Sequence, residues 1–369
     1  MNAPKTLAAL LLILLSAKPV CGQQVSTGLK WQRLPSAWSD TYNQGRAMTV
    51  ARGELYIGTA GTTPGSATVW KLVDSRWVKL AEFPSLKVAV LQNDASGNLY
   101  AGTGTPHSAE TKGMGHAEVW KIDPGGESTR LRAFRERDVA YCMTWFGNKL
   151  HVGTMTEDRP GTAEIWRFDD PGWTRVAGLG SNGWPAAASY SGVYEMWVHE
   201  GALIAGTFSR TMGDGDVLRF EDGRWRDLKA PDSIISLCFA TYRDQLVVSL
   251  SKVNAAFSNP IFVLTDEGTW QPLGQAPTEW KDATIPNHMV VDGKKLYLGM
   301  GGARGTLSVW QYDGVSWEKL AGDGIHSSWV DPLVGHGAEW VYRMTVHRAK
   351  LYVGLASDRT PFQAEVWEL

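Results

Sequence analysis

The chain has 369 residues, of which 43% are hydrophobic and 20% charged, and a formal net charge of −2. That length can bury a large core, and the near-neutral balance, without a Lys/Arg run able to neutralise successive phosphates, excludes nucleic acid as a partner. Forty glycines and 18 tryptophans direct the search to internal repetition.

At the start of the chain, Lys5 is followed by an apolar run from Leu7 to Leu15 and then by small and polar residues. This is the pattern of a signal peptide over residues 1–22, with the mature chain starting at Gln23. Acylation at Cys21 is the rival reading, but Pro19-Val20 puts a branched residue where that signal wants a small one. The run is shorter than the roughly 20 residues of a membrane-spanning helix, and no later segment reaches that length. Residues 23–369 are therefore expected to form one domain, secreted or periplasmic, with no membrane insertion after cleavage.

A short strand pattern, Trp31-Gln-Arg-Leu34, comes next. Seven repeats follow, each anchored on a Leu-x-x-Gly-like strand at Leu55, Leu99, Leu150, Leu203, Leu246, Leu296 and Leu351. Their spacing of roughly 40 to 55 residues is the length of a four-stranded propeller blade. Within a repeat, strand a runs to a Met or Phe (Met48, Met143, Met196, Phe239, Met289, Met344) and turns into strand b, which alternates with period two. After a variable loop, strand c carries words such as Ala117-Glu-Val-Trp120 and Ala163-Glu-Ile-Trp166. An Asp/Gly turn leads into strand d, where Trp is followed three residues on by Leu or Val, as in Trp173-Val176, Trp225-Leu228, Trp270-Leu273 and Trp317-Leu320. The second repeat has no Trp in its strand d, near Glu127 to Leu131.

The seventh repeat stops at Trp367-Glu-Leu369, after strand c. Its missing fourth strand is the orphan pattern at Trp31. The expected fold is therefore all-β: a seven-bladed β-propeller of four-stranded antiparallel blades, its ring closed by the N-terminal strand, which removes an exposed sheet edge. Cys142 and Cys238 occupy the same position of repeats three and five, too far apart to bridge, and are expected to be small buried thiols.

The Gly-x-Leu-Tyr-x-Gly-Thr words, as at Gly53–Thr59 and Gly97–Thr103, together with Ala-Glu-Val-Trp, resemble those of bacterial secreted propellers of the sialidase-like and kelch-like repeat type. The resemblance covers nearly all of the mature chain. It implies the fold and leaves function open among lectins, glycosidases, lyases and adaptors. The Asp-box of sialidases is only echoed, at Asp222-Gly-Arg-Trp225 and Asp313-Gly-Val-Ser-Trp317.

Two features mark candidate functional residues. The d–a and b–c connections are long and irregular and emerge on one face of a propeller, where ligands usually bind. Trp38, Trp184, Trp280, Trp329 and Trp340 fall in the d–a connections, outside the repeat columns, and are candidate stacking platforms for a sugar. Near the start of strand a, two and one places before the Met column, ionisable or polar residues recur: Arg46, Tyr141, Tyr194, Asn287 and Tyr342, then Glu195, His288 and Arg343. A site assembled from several blades is the expectation.

The residue types suit a glycan or other small ligand. The alternatives are a glycan-degrading enzyme and a cell-envelope interaction scaffold. A Tyr or His base (Tyr141, Tyr194, His288, Tyr342) beside Arg46 and Arg343 fits a uronate lyase, whereas a hydrolase needs a second carboxylate near Glu195, from Asp158, Asp214 or Asp216. His107, His116, His326 and His336 fit no metal spacing, no cofactor motif is found, and a monomer is expected.

Overall fold

The computed structural model describes residues 30–38, 42–105, 116–156, 159–185, 189–209, 215–233, 235–251, 260–281, 284–302, 307–322, 338–357 and 364–369. The signal-peptide segment, Trp329, Asp158, Asp214, His107, His326 and His336 lie outside them.

The described residues are almost entirely antiparallel β-structure. After β1 (Gln32–Arg33), the strands pair in sequential sets of four. Blade one is β2 (Tyr42–Ala51), β3 (Glu54–Gly61), β4 (Ala67–Val73) and β5 (Arg76–Phe83); blade two is β6 (Lys87–Asn93), β7 (Leu99–Gly104), β8 (Ala117–Ile122) and β9 (Ser128–Phe134). Blade three is β10 (Val139–Phe146), β11 (Lys149–Met155), β12 (Glu164–Phe168) and β13 (Trp173–Ala177); blade four is β14 (Gly192–His199), β15 (Ala202–Phe208), β16 (Val217–Glu221) and β17 (Arg224–Asp227). Blade five is β18 (Ile235–Tyr242), β19 (Gln245–Ser251), β20 (Ile261–Leu264) and β21 (Trp270–Pro272); blade six is β22 (Thr284–Asp292), β23 (Lys295–Gly302), β24 (Ser308–Tyr312) and β25 (Trp317–Gly322). The last set, β26 (Trp340–His347), β27 (Lys350–Ala356) and β28 (Glu365–Glu368), takes β1 as its outer strand. The first strands of successive sets pack side by side around a closed circuit, β26 returning to β2. The described residues thus form a β-propeller ring.

Closure follows the expected register. Gln32 pairs with Glu368 and Arg33 with Trp367, Leu34 N donates to Val366 O at 2.9 Å, and Arg33 reaches the buried Glu365 at 3.0 Å. On the outer rim the Trp-x-x-Leu word acquires a physical meaning. The Trp of one blade donates its indole N–H to the carbonyl of the Leu or Val in the preceding blade: Trp31 to Leu320 (3.1 Å), Trp317 to Leu273 (3.4 Å), Trp270 to Leu228 (2.9 Å) and Trp225 to Val176 (2.9 Å).

The Ala-Glu-Val-Trp word is explained as well. Glu118, Glu164 and Glu365 each accept the indole N–H of the Trp two residues on, and each pairs with an arginine from strand d. Several a–b turns are two-residue hairpins with both central residues left-handed, as at Arg52-Gly53 and Gly147-Asn148, which suits the twist of the flanking strands.

Between blades, apolar side chains interdigitate. One such layer unites Cys142 and Ile165 of blade three with Val193, Leu203 and Leu218 of blade four. Both cysteines are free and buried, as their positions in separate blades require.

Candidate functional site

The seven inner strands share one irregularity. In each, the register with strand b slips by a residue at the same place, so that it skips Arg46, Ala89, Tyr141, Tyr194, Leu237, Asn287 or Tyr342. A regular strand would send neighbouring residues to opposite faces. The bulge breaks that alternation, so Tyr194 with Glu195, and Tyr342 with Arg343, both face the axis. The bulged residues meet there and plug the channel, leaving a gap of ≈ 20 Å³ between them.

The plug separates two cavities. The one on the face of the d–a and b–c connections has a volume of ≈ 360 Å³ and a mostly polar lining that includes Gln44, Arg46, Lys87, Tyr141, Tyr194 and Tyr342. The one toward the a–b hairpins, ≈ 320 Å³, is lined by apolar residues such as Met48, Leu91 and Phe239, with Glu195, His288 and Arg343 at its floor. The sequence-predicted cluster is therefore divided. Arg46 and the three tyrosines open to the first cavity; His288 opens to the second; Glu195 and Arg343 lie between; and Asn287 lines the gap.

Arg46 organises the first cavity. It is 8% exposed, its Nη2 donates to Tyr141 Oη at 2.7 Å and its Nη1 to Gln44 Oε1 at 2.9 Å. Its guanidinium lies 4.5 Å from the Tyr342 ring centroid and 5.3 Å from that of Tyr141, which itself packs on Tyr194 at 4.6 Å. Burial opposes its charge, but the surrounding tyrosine hydroxyls outweigh burial and raise its pKa. Burial, followed by the Tyr141 and Tyr342 hydroxyls, holds Tyr194 protonated well above the usual phenol range. In the resting protein Tyr194 carries its proton.

Beneath them Arg343 Nη1 pairs with Glu195 Oε2 at 2.9 Å. His288 Nδ1 accepts the Met344 N–H at 3.2 Å, which places its proton on Nε2. Burial, then Arg343, pushes its pKa well below the ordinary value, so the ring is neutral. Burial likewise raises Cys142 well above the usual thiol range and Cys238 to about 12. Both are unreactive thiols.

The tryptophan platforms require correction. Trp38, Trp184 and Trp280 are 5, 6 and 2% exposed. Each folds under its connection onto aromatic side chains of the next blade: Trp38 onto Trp70 and Trp77, Trp184 onto Trp225, Trp280 onto Trp310 and Trp317. They are brackets between blades and offer no face to a sugar. Trp340 opens β26 instead of lying in a connection, and stacks on Tyr342 at 6.3 Å.

Phe83 on Trp120 and Phe134 on Trp166 and Trp173 serve as the same bracket at other junctions. Lining up Phe83 and Phe134 with the loop tryptophans would have disclosed a packing role. Lys87 was missed as a cavity residue because it begins the one inner strand whose bulge carries Ala89, with no polar side chain to draw attention to it. Among the described residues no cluster of His, Cys, Asp and Glu has the arrangement of a metal site.

No protein-family model and no curated protein sequence matches the chain. Solved structures do. One described as YCF48 bound to D1 peptide shares 10% identity at a TM-score of 0.57, covering 94% of this chain and 98% of that one. The periplasmic gluconolactonase PpgL of Pseudomonas aeruginosa shares 13% identity at a TM-score of 0.57, covering 84% and 93%. At such identities the likeness concerns the β-propeller fold alone. No helix among the described residues is long and apolar enough to cross a membrane.

Proposed function

We propose that this chain is an exported β-propeller, with residues 1–22 as its signal peptide and 23–369 as a single domain of the sialidase-like or kelch-like repeat type, that binds a glycan or other small ligand in the ≈ 360 Å³ cavity on the face of the d–a and b–c connections. The observation that carries this reading is the ring of bulges, which delivers Arg46, Tyr141, Tyr194 and Tyr342 from four inner strands to one concave, polar site. A volume near the lower end of the usual ligand-pocket range suits one or two sugar rings. Tyrosine rings with hydroxyl edges suit them chemically.

Saturation-transfer NMR against a panel of mono- and oligosaccharides is the test, with Tyr342→Ala as the variant. A bound sugar whose affinity falls about tenfold or more in the variant supports the site. A folded protein that binds no member of the panel, or a variant that binds unchanged, removes it.

A uronate lyase is the second reading, favoured by the 2.7 Å bond from Arg46 to Tyr141 Oη inside the cavity. Its base would be one of the cavity tyrosines, Tyr141, Tyr194 or Tyr342, since His288 opens to the far cavity. Release of unsaturated uronate from uronate-rich polymers, followed by ultraviolet absorbance, decides it. An interaction scaffold is the third, in line with the peptide held by one of the fold neighbours.

A further inference from the structure

The plug at the axis carries more positive than negative charge. Around its ≈ 20 Å³ gap stand two arginines, Arg46 and Arg343, and a single carboxylate, Glu195; the other lining residues are uncharged. Glu195 is engaged with Arg343 at 2.9 Å. Arg46, which is buried, directs its Nη1 to the Gln44 amide and its Nη2 to the Tyr141 hydroxyl, and it makes no ion pair among the described residues. Burying a charge is costly unless it is both hydrogen-bonded and paired. Arg46 meets the first condition alone.

A second group at the gap has no acceptor. Asn287 is 8% exposed, and its buried Nδ2 finds no partner among the described residues. A buried donor left in this way is rare and calls for an acceptor in the space it faces. The bulges deliver both groups. Arg46 and Asn287 are the residues skipped in β2 and β22, and Arg343 directly follows the residue skipped in β26. These inner strands are consecutive around the ring, β26 packing between β22 and β2. Three donor side chains from adjoining blades therefore border one small space.

We propose that the gap is a binding site for one chloride ion, held by Asn287 Nδ2 and the guanidinium groups of Arg46 and Arg343. Size is the first argument. A gap of ≈ 20 Å³ admits about one water-sized particle, which needs roughly 10–15 Å³, and is too small for a carboxylate, phosphate or sulfate. Charge is the second. A water molecule would accept from Asn287 but leave Arg46 uncompensated, whereas with a monovalent anion in place two arginines face two negative charges. In a recess of low dielectric that attraction is several times stronger than in bulk water. Glu195 repels the ion, and its bond to Arg343 limits the repulsion. The site belongs to the plug and does not depend on what the first cavity binds.

Crystals soaked in sodium bromide and measured at the bromine absorption edge locate a halide directly. The expected result is an anomalous peak in the gap beside Asn287 Nδ2. A gap that is empty or holds only ordered water overturns the proposal, and so do peaks confined to surface lysines, an adventitious ion only.

In solution, sodium chloride is exchanged for sodium methanesulfonate, whose anion is too large for the gap, at constant ionic strength. A ligand of the folded state alone raises the melting temperature with its concentration, so chloride is expected to raise it progressively by a few degrees. Equal melting temperatures in the two salts overturn the proposal. Asn287→Leu, similar in size and without a donor, is expected to move the chloride midpoint to about tenfold higher concentration, as the loss of one charge-assisted hydrogen bond requires. Arg46→Gln is expected to abolish the chloride effect, with Asn287→Leu deciding alone if that variant does not fold. An unaltered chloride midpoint and bromide peak in Asn287→Leu would mean that these donors hold no ion.

Discussion

His151, on β11, is 2% exposed, with Nδ1 3.1 Å from the Lys149 carbonyl oxygen. Burial, the largest influence, pushes its pKa down to about 4, against the ordinary 6.5. Above pH 6.5 both folded and unfolded chains hold it neutral, and it contributes nothing to pH dependence. As pH falls below that value the unfolded chain takes up a proton that the folded chain refuses, so stability declines until the folded pKa is reached and then levels off. The effect is at most roughly 3 kcal/mol for this group. His199, His288 and His347 are displaced in the same direction, chiefly by burial.

The urea midpoint is therefore expected to fall between pH 6.5 and 4.5, before most carboxylates titrate, and His151→Gln should make that decline shallower. A midpoint that is flat over this interval, or a variant with an unaltered slope, contradicts the account. The Glu195–Arg343 pair illustrates a related cost. Either partner alone would be a nearly buried charge without its counter-ion, which ordinarily destabilises by about 3–5 kcal/mol.

At the scale of the strand, the glycine of the Leu-Tyr-x-Gly word marks where strand b of one blade touches strand a of the next. A Cβ on Gly102 would stand 2.6 Å from the Ala140 carbonyl oxygen, and one on Gly206 would stand 2.8 Å from both Cβ and O of Ser236. Neither backbone can retreat without moving a blade. Gly102→Ala is expected to lower stability by about 1–3 kcal/mol through overpacking, read from the urea midpoint; an unchanged midpoint would show that blades slide past one another freely. Blade five carries Ser249 at this position, and its hydroxyl bonds the Pro286 carbonyl oxygen at 3.1 Å, so a side chain is accommodated there by a specific contact.

The same comparison shows what was legible in the sequence. Strand b, strand d and the orphan Trp31 word were readable because period-two alternation and turn residues are local. The bulges were not, since a one-residue slip depends on how two strands pair, and alternation by itself predicts that Tyr194 and Glu195 point apart. The loop tryptophans were misjudged for a similar reason. Their sequence neighbours reveal the connection in which they lie, whereas their burial is decided by Trp225, Trp310 and Trp317 on the following blade.

Taken as a whole, the molecule depends on a closure made by few residues. β1 contributes two paired residues, the Trp31 indole bond to blade six and the Arg33–Glu365 ion pair. Deleting residues 30–34 should lower the melting temperature by several degrees, because the contacts of one buried Trp alone are worth about 3–5 kcal/mol, and should leave β28 as an open edge able to recruit another chain. Size-exclusion elution and the melting curve check both effects. An unchanged melting temperature together with unchanged elution would mean that the ring holds without its outermost strand.

Trp38 also donates its indole N–H to the Ala364 carbonyl oxygen, 326 positions away. During synthesis at a typical rate, tens of seconds separate the emergence of these two groups. Until the later one appears the nascent protein is an arc, its ends unjoined, and each blade can rely only on neighbours already made. Cooperativity, and with it resistance to proteases, should therefore arrive late and abruptly, as the two halves of the final blade come together.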